Sequence, residues 1–237
     1  MDKLKKIVVT IKSILKLPKV TIRFYGASET MLKNYQNTYT LFTKLHRLKL
    51  FRNKAIGVAL IELDLYDTFE KYYKSINGKN SAAYYARKAI KRGYSFVKID
   101  RNNHIEDMYE INTSSIERQG KAMSSGYLQK QSTYKNDDNY LYFGVVNDEN
   151  KLLAYCNIGF YGDFSLVSTL LGHKNYLNDG VMYLMMVELN KLMFEKYKKQ
   201  GYKYIMYDTF FGASKGLQQF KNKLGYKAYK VKWLWKN

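Results

Sequence analysis

YKYIMYDTFFGASKGLQQFKNKLGY, running from Tyr202 to Tyr226, passes through a strand, a tight loop and a short helix. Tyr204, Ile205, Met206 and Tyr207 form a mixed aromatic and apolar run of the kind that buried strands carry. Gly212-Ala213-Ser214 breaks that run, and Ser214 is suited to cap the helix that follows. Leu217, Phe220 and Leu224 recur at helical spacing, and Gly225 sits where a helix ends on a left-handed glycine. An apolar, β-rich tail, Ala228 to Trp235, closes the chain.

Working backwards, Phe164–Leu171 reads as a strand, and Gly172-His173-Lys174-Asn175 leads out of it towards Asn178-Asp179-Gly180. A helix from Gly180 to about Gln200 is expected, with Met182, Met185, Met186, Leu189, Leu192 and Met193 as a broad core-facing stripe. Tyr140–Val146 and Lys151–Tyr161 flank the turn Asn147-Asp148-Glu149-Asn150, which predicts a hairpin. Before them come a polar loop from Asn112 to Lys121, a short helix over Asn103–Ile111 and a strand over Tyr94–Ile99. Helices are expected from Thr68 and over Ser81–Arg92, separated by a turn at Asn77-Gly78. Val20–Tyr25 and Ala55–Leu63 read as strands around a helix that starts at Ser28 or Glu29. Met1–Pro18 has Leu4, Ile7, Val8, Ile11 and Ile14 on one side and Lys5, Lys12 and Lys16 on the other. That pattern predicts a basic amphipathic helix ended by Pro18, too short and too charged for a signal peptide or a membrane span. It suits docking onto its own domain or lying on an anionic membrane face.

The chain has 40 Lys and Arg against 20 Asp and Glu, a formal charge of +20. Such an excess favours a polyanionic partner, although the lysines are spread along the whole chain and point to no one patch. A hydrophobic content of 46 % supplies a full core and excludes a disordered chain. A single cysteine excludes a disulfide framework and a Cys-based zinc site, and Cys156, inside LLAYCNIGF, reads as a buried thiol. The three histidines are far apart, so no metal is expected. His46 sits among Lys44, Arg47 and Lys49 on what reads as a solvated face.

The order strand, tight loop, short helix, Gly, strand resembles the C-terminal half of the GNAT acyltransferase superfamily. Gly216-Leu217, Phe220-Lys221 and Leu224-Gly225-Tyr226 resemble more closely the Fem-type aminoacyltransferases, as does Arg87-Lys88-Ala89-Ile90-Lys91-Arg92-Gly93 before its strand. The resemblance implies an α/β fold with a mixed, splayed central sheet flanked by helices. Residues 67–237 would form the acyltransferase core, with 1–66 an N-terminal part of the same fold. It further implies a cytoplasmic enzyme, at the inner face of the membrane if residues 1–18 touch it. Such an enzyme moves an acetyl or aminoacyl group to an amine of an envelope sugar or its lipid-linked precursor by direct attack.

The donor would enter between Phe164–Leu171 and Tyr202–Thr209. GNAT members hold the coenzyme A pyrophosphate on a helix start of the form Gln/Arg-x-x-Gly-x-Gly/Ala; here Leu177-Asn178-Asp179-Gly180-Val181-Met182 keeps only the central glycine. Asn178, Gly180 and Val181 would take that role, helped by Lys174 or Lys215. The departures weaken acetyl-CoA as donor and leave aminoacyl-tRNA as the alternative. Lys221 stands where GNAT members place a proton-donating tyrosine and would stabilise the oxyanion or protonate the leaving group. His173 is the candidate base and Asp208 its rival, or a group that orients the acceptor ammonium. Arg118, Gln119, Lys121 and Tyr207 are candidates for holding the acceptor. Ser214 lacks activating partners and reads as a cap rather than a nucleophile. The competing class is a non-catalytic module of the same fold that holds RNA or an anionic membrane.

Overall fold

The computed structural model describes residues 14, 16–46, 49, 51–118 and 121–236. The amphipathic helix expected over Met1–Pro18 lies outside these residues, apart from Ile14 and 16–18.

Among the described residues the elements follow in the order β1 (Lys19–Phe24), α1 (Glu29–Thr43), β2 (Ile56–Glu62), α2 (Phe69–Ser75), α3 (Ala82–Lys91), β3 (Ser95–Lys98) and α4 (Ile105–Thr113). There follow the short strands β4 (Glu117–Arg118) and β5 (Lys121–Ala122), and the single turn α5 (Ser125–Leu128). The chain then runs through β6 (Tyr140–Val146), β7 (Leu152–Tyr161), β8 (Phe164–Gly172), α6 (Val181–Leu192), β9 (Tyr204–Thr209), α7 (Lys215–Lys223) and β10 (Lys227–Trp235). Eight strands form one mixed sheet in the order β1-β10-β2-β9-β8-β7-β6-β3. Strands β1 and β2, both from residues 1–66, sit inside that sheet, so β10 pairs with one on each side. Two pairs are parallel, β1 with β10 and β8 with β9; α6 is part of the crossover that β8 to β9 requires.

Strand periodicity sends alternate side chains to two different helical layers. Ala154, Cys156 and Ile158 of β7 pack with Val181, Met185 and Leu189 of α6 and with Tyr72 and Ala86 from α2 and α3. On the opposite face, α1 packs Tyr35 and Phe42 over Phe24, Tyr161, Phe164 and Trp233. Phe24 has no exposed surface and meets the rings of Tyr35, Tyr39, Phe42, Phe164 and Trp233 at centroid distances of 5.1–6.2 Å. These mostly edge-on or tilted pairs join α1, β1, β8 and β10.

Two elements differ in detail from the sequence expectation. The helix expected up to Gln200 is α-helical only to Leu192; a wider π turn, Met193–Tyr197, and a 3-10 turn, Lys198–Gln200, complete it. The wide turn seats Phe194 against Tyr66, Phe69 and Tyr72, a tertiary demand invisible to helical periodicity. The polar segment read as a loop forms the two-stranded β4–β5 hairpin.

Replacing Phe24 with alanine should lower unfolding free energy by about 3–5 kcal/mol in urea titration, through the lost contacts and the cavity left behind. Leu41→Ala, at a position 56 % exposed, should change it by less than about 0.5 kcal/mol. Similar costs for the two would show that the aromatic cluster does not hold the layers together.

Candidate functional site

Strands β8 and β9 pair in parallel at Phe164–Tyr204, Ser165–Ile205 and Leu166–Met206, and then part. The end of β9 is drawn towards β2. Asp208 adopts a left-handed backbone at φ 51°, unusual for a residue with a side chain, and its carboxylate pairs with Lys54. Phe210 N–H donates to the Gly57 carbonyl at 2.8 Å. The Lys221 ammonium donates to the Thr209 carbonyl at 2.8 Å, so the last backbone acceptor of the strand is satisfied from α7 rather than by β8.

The gap left by this parting is a cleft of about 380 Å³. Leu170 and Leu171 of β8 form one wall; Tyr207 of β9 with Leu217 and Phe220 of α7 form the other. Ser214 and Gly216 bring the start of α7 to the cleft, where Ser214 caps the helix by accepting from Leu217 N–H at 3.3 Å. The polar lip consists of Lys174 with Glu117 and Arg118 of β4. Arg118 donates to the carbonyls of Gly172 and Ile111 and to Ser114 Oγ, which ties the β4–β5 hairpin to the end of β8. Its Nε is buried without a partner, and burial lowers the guanidinium pKa from its ordinary value. Glu117 is the sole carboxylate among the described residues lining the cleft.

Lys221 lies behind this wall. Its side chain is fully buried, with the ammonium 4.7 Å from the centre of the Tyr207 ring and 5.7 Å from that of Phe210. Burial pulls its pKa down to about 8, against an opposing pull from Asp208. Cys156 and Tyr207 are pushed in the other direction, also by burial, so the thiol and phenol keep their protons.

At the start of α6, where a pyrophosphate was expected, Gly180 packs on α3, while Leu177 and Met182 face the cleft. Gly180 has φ 92°, and a Cβ added there would lie 2.3 Å from the Tyr85 carbonyl oxygen. Asp179 pairs with Arg92 and accepts a hydrogen bond from Tyr94, while the Lys88 ammonium donates to the Asn178 carbonyl. Gly180 is therefore a packing glycine at the α3–α6 contact. Val181 is buried and Asn178 exposed.

The expected catalytic trio does not converge. Lys221 and Asp208 are electrostatic neighbours, but His173 belongs elsewhere. Its Nδ1 accepts from Asn175 N–H at 3.3 Å, its ring rests near Tyr176, and the charges around it are Glu110, Lys151 and Arg118. Burial lowers its pKa, so the imidazole is neutral at pH 7. His173 is a cap residue of the turn Lys174–Asp179, not a cleft residue. Asp208 is half-exposed on the β2 side, paired with Lys54. Arg118, Tyr207 and Lys174 do line the cleft, and Lys215 is exposed at the start of α7. Gln119 lies outside the described residues, and Lys121 pairs with Arg118 across the hairpin. Glu117 was missed because its neighbours were read as a loop. Its one signal was the alternation Glu117-Arg118, which in a strand puts two charges on opposite faces.

No family model matches the chain, and no curated protein matches it in sequence. Among solved structures, FemX superposes with a TM-score of 0.57 at 13 % identity, covering 96 % of this chain and 74 % of that one. The chain has a GNAT-like fold, shared with FemX. L-PGS from Bacillus licheniformis (TM-score 0.44, 16 % identity) covers 74 % of this chain and 61 % of its own. A GCN5-related N-acetyltransferase from Kribbella flavida (TM-score 0.42, 13 % identity) covers 73 % and 55 %. Among the described residues no helix is long and apolar enough to cross a membrane, and no group of three or more His, Cys, Asp or Glu could hold a metal.

The Lys221 pKa has a direct consequence for stability. In the unfolded chain a lysine keeps its proton to about 10.4, so between about 8 and 10.4 the unfolded state binds more protons. The cost of burying the charged amine is fully present below 8 and fades as pH rises through this window. The unfolding free energy of the wild type relative to Lys221→Met should therefore rise between pH 7.5 and pH 10, read from urea titrations at each pH. A difference that does not vary with pH would mean that the amine titrates as an exposed lysine does.

Proposed function

We propose that this chain is an N-acyltransferase acting in the cleft between β8 and β9. The observation that carries the reading is the parting of two parallel strands after three paired residues, which opens an apolar slot with freed backbone groups along its edge. An extended acyl ester or thioester fits such a slot. The acceptor amine attacks the carbonyl carbon directly. A C–N bond forms, the amine proton passes to the Glu117 carboxylate, and the C–O or C–S bond breaks as Glu117 returns that proton to the leaving oxygen or sulfur. Lys221 acts from behind Tyr207 as a fixed cation that favours the tetrahedral oxyanion, and it holds the end of β9 in place.

The donor this site favours is aminoacyl-tRNA rather than acyl-CoA. The helix start that GNAT members use for pyrophosphate is packed under α3, with a carboxylate, Asp179, beside it. Lys174 and Lys215 remain at the cleft mouth as cations for a phosphate-bearing donor, and the net charge of +20 suits a polynucleotide. The acceptor class, an amino sugar of the envelope or its lipid-linked precursor, follows from the likeness to Fem-type proteins. A cytoplasmic setting at the inner membrane face follows from the same likeness.

The test is turnover with charged tRNA as donor and glucosamine as the amine. Glu117→Gln should lower the rate of amide formation by about 10²–10⁴-fold, the usual worth of a general base. His173→Gln should leave it within about twofold, on the scale of an ordinary surface change. The reverse ranking would return the base to His173 and remove Glu117 from the chemistry.

A further inference from the structure

A second cavity, of about 240 Å³, lies on the opposite face of β7 and β8 from α6, beneath α4 and α5. Its lining is mixed: Arg101, Asn112, Asn157 and Thr169 contribute polar groups, and Met108, Tyr134 and Tyr155 contribute apolar surface. Two of these groups are left unbalanced.

Arg101 is only 8 % exposed, yet it takes part in none of the ion pairs found among the described residues. Its guanidinium lies 3.8 Å from the centre of the Tyr142 ring and 5.0 Å from that of Tyr134. Nη2 donates to the carbonyl of Lys135 and to Asn136 Oδ1, and Nε also donates to Asn136 Oδ1. Every one of these partners is neutral, and Nη1 has no acceptor among the described residues. The two tyrosine rings and the neutral acceptors offset part of the cost of burying this cation, and an anion at its remaining edge would offset more.

The second unbalanced group is Asn157. Its Oδ1 is buried and accepts no hydrogen bond. By contrast, the neighbouring Asn112 Oδ1 accepts from Tyr155 O–H at 2.7 Å. A buried, unpaired amide oxygen destabilises the fold, and a ligand donor would recover that loss.

We propose that this cavity binds a small carboxylate that carries a neighbouring N–H or O–H. The carboxylate meets the free edge of Arg101, and the donor is accepted by Asn157 Oδ1. The cavity is smaller than those that hold drug-sized ligands, so the occupant is a compact group such as the acid end of an N-acylated amino acid or a hydroxy acid. Asn157 pairs in register with Thr169, two residues before the cleft wall at Leu171, so the occupant would lie beside the slot. The proposal does not need the cleft to transfer an acyl group, since binding is measured without turnover.

The probes are N-acetylalanine and lactate, with N-acetylalanine methyl ester and propionate as controls lacking the charge or the donor. Isothermal titration should give saturable binding of at least one of the first two, and at least tenfold weaker binding of both controls. Asn157→Leu should weaken the better probe about tenfold or more, and thermal unfolding of the variant reports whether it still folds. Thr169→Val supplies a second, smaller change to the same lining if Asn157→Leu does not fold, and it should weaken binding measurably. The proposal is overturned by binding of neither probe at about 50 mM, an affinity too weak for a built site. It is equally overturned by equal binding of the ester, or by unchanged binding to the variants.

Discussion

The hydrogen bond from the Lys221 ammonium to the Thr209 carbonyl is the constraint on which the cleft depends. A parallel strand pair gains by continuing its ladder, and every backbone group that leaves it needs another partner. Here the last carbonyl of β9 leaves the ladder because α7 supplies a cation to receive it. Asp208 bends the backbone into the left-handed region, and Lys54 holds its carboxylate on the β2 side. The same ammonium is fully buried against Tyr207 and Phe210. One side chain thus both keeps the strands apart and lends the resulting slot a positive field. That is a costly arrangement for a lysine, as its lowered pKa records.

A second consequence of packing concerns the start of α6. The start of α6 is a natural anion seat only while its N–H groups are open to solvent. Helix α3 crowds it, with the Tyr85 carbonyl against Gly180 and with Arg92 and Tyr94 engaging Asp179, while Leu177 and Met182 still face the cleft. The basic residues of α3 that look like a phosphate-binding face in the sequence are partly consumed in this packing, since Lys88 and Arg92 both hold the turn before α6. The cations left at the cleft are Lys174 and Arg118, with Lys215 exposed at the start of α7.

Most of the architecture was legible in the sequence because its signals are local. The strand at Tyr204, the Ser214 cap, α7 and the Gly225 terminator follow from periodicity and capping chemistry, and each is present. The cleft walls were legible too, once the order of elements was matched to a splayed sheet. What the sequence hid was tertiary. Gly180 looked like the remnant of a phosphate loop and is a contact with α3; His173 looked like a base and is a turn cap. Glu117 was hidden because a two-residue strand leaves almost no periodicity to read. Lys221 was singled out by motif, but its burial depends on β9 and could not be read from α7 alone.

An open cleft between β8 and β9 coexists with an α6 start packed on α3, and one measurement addresses both features. It is the unfolding temperature of the protein with excess charged tRNA, uncharged tRNA or coenzyme A. A ligand that binds only the folded state at about 100 times its Kd adds roughly 2.7 kcal/mol of stability. A clear upward shift is expected with charged tRNA, a smaller one with uncharged tRNA and none with coenzyme A. A shift with coenzyme A and none with either tRNA would contradict it, because the phosphate seat at α6 would then have to open.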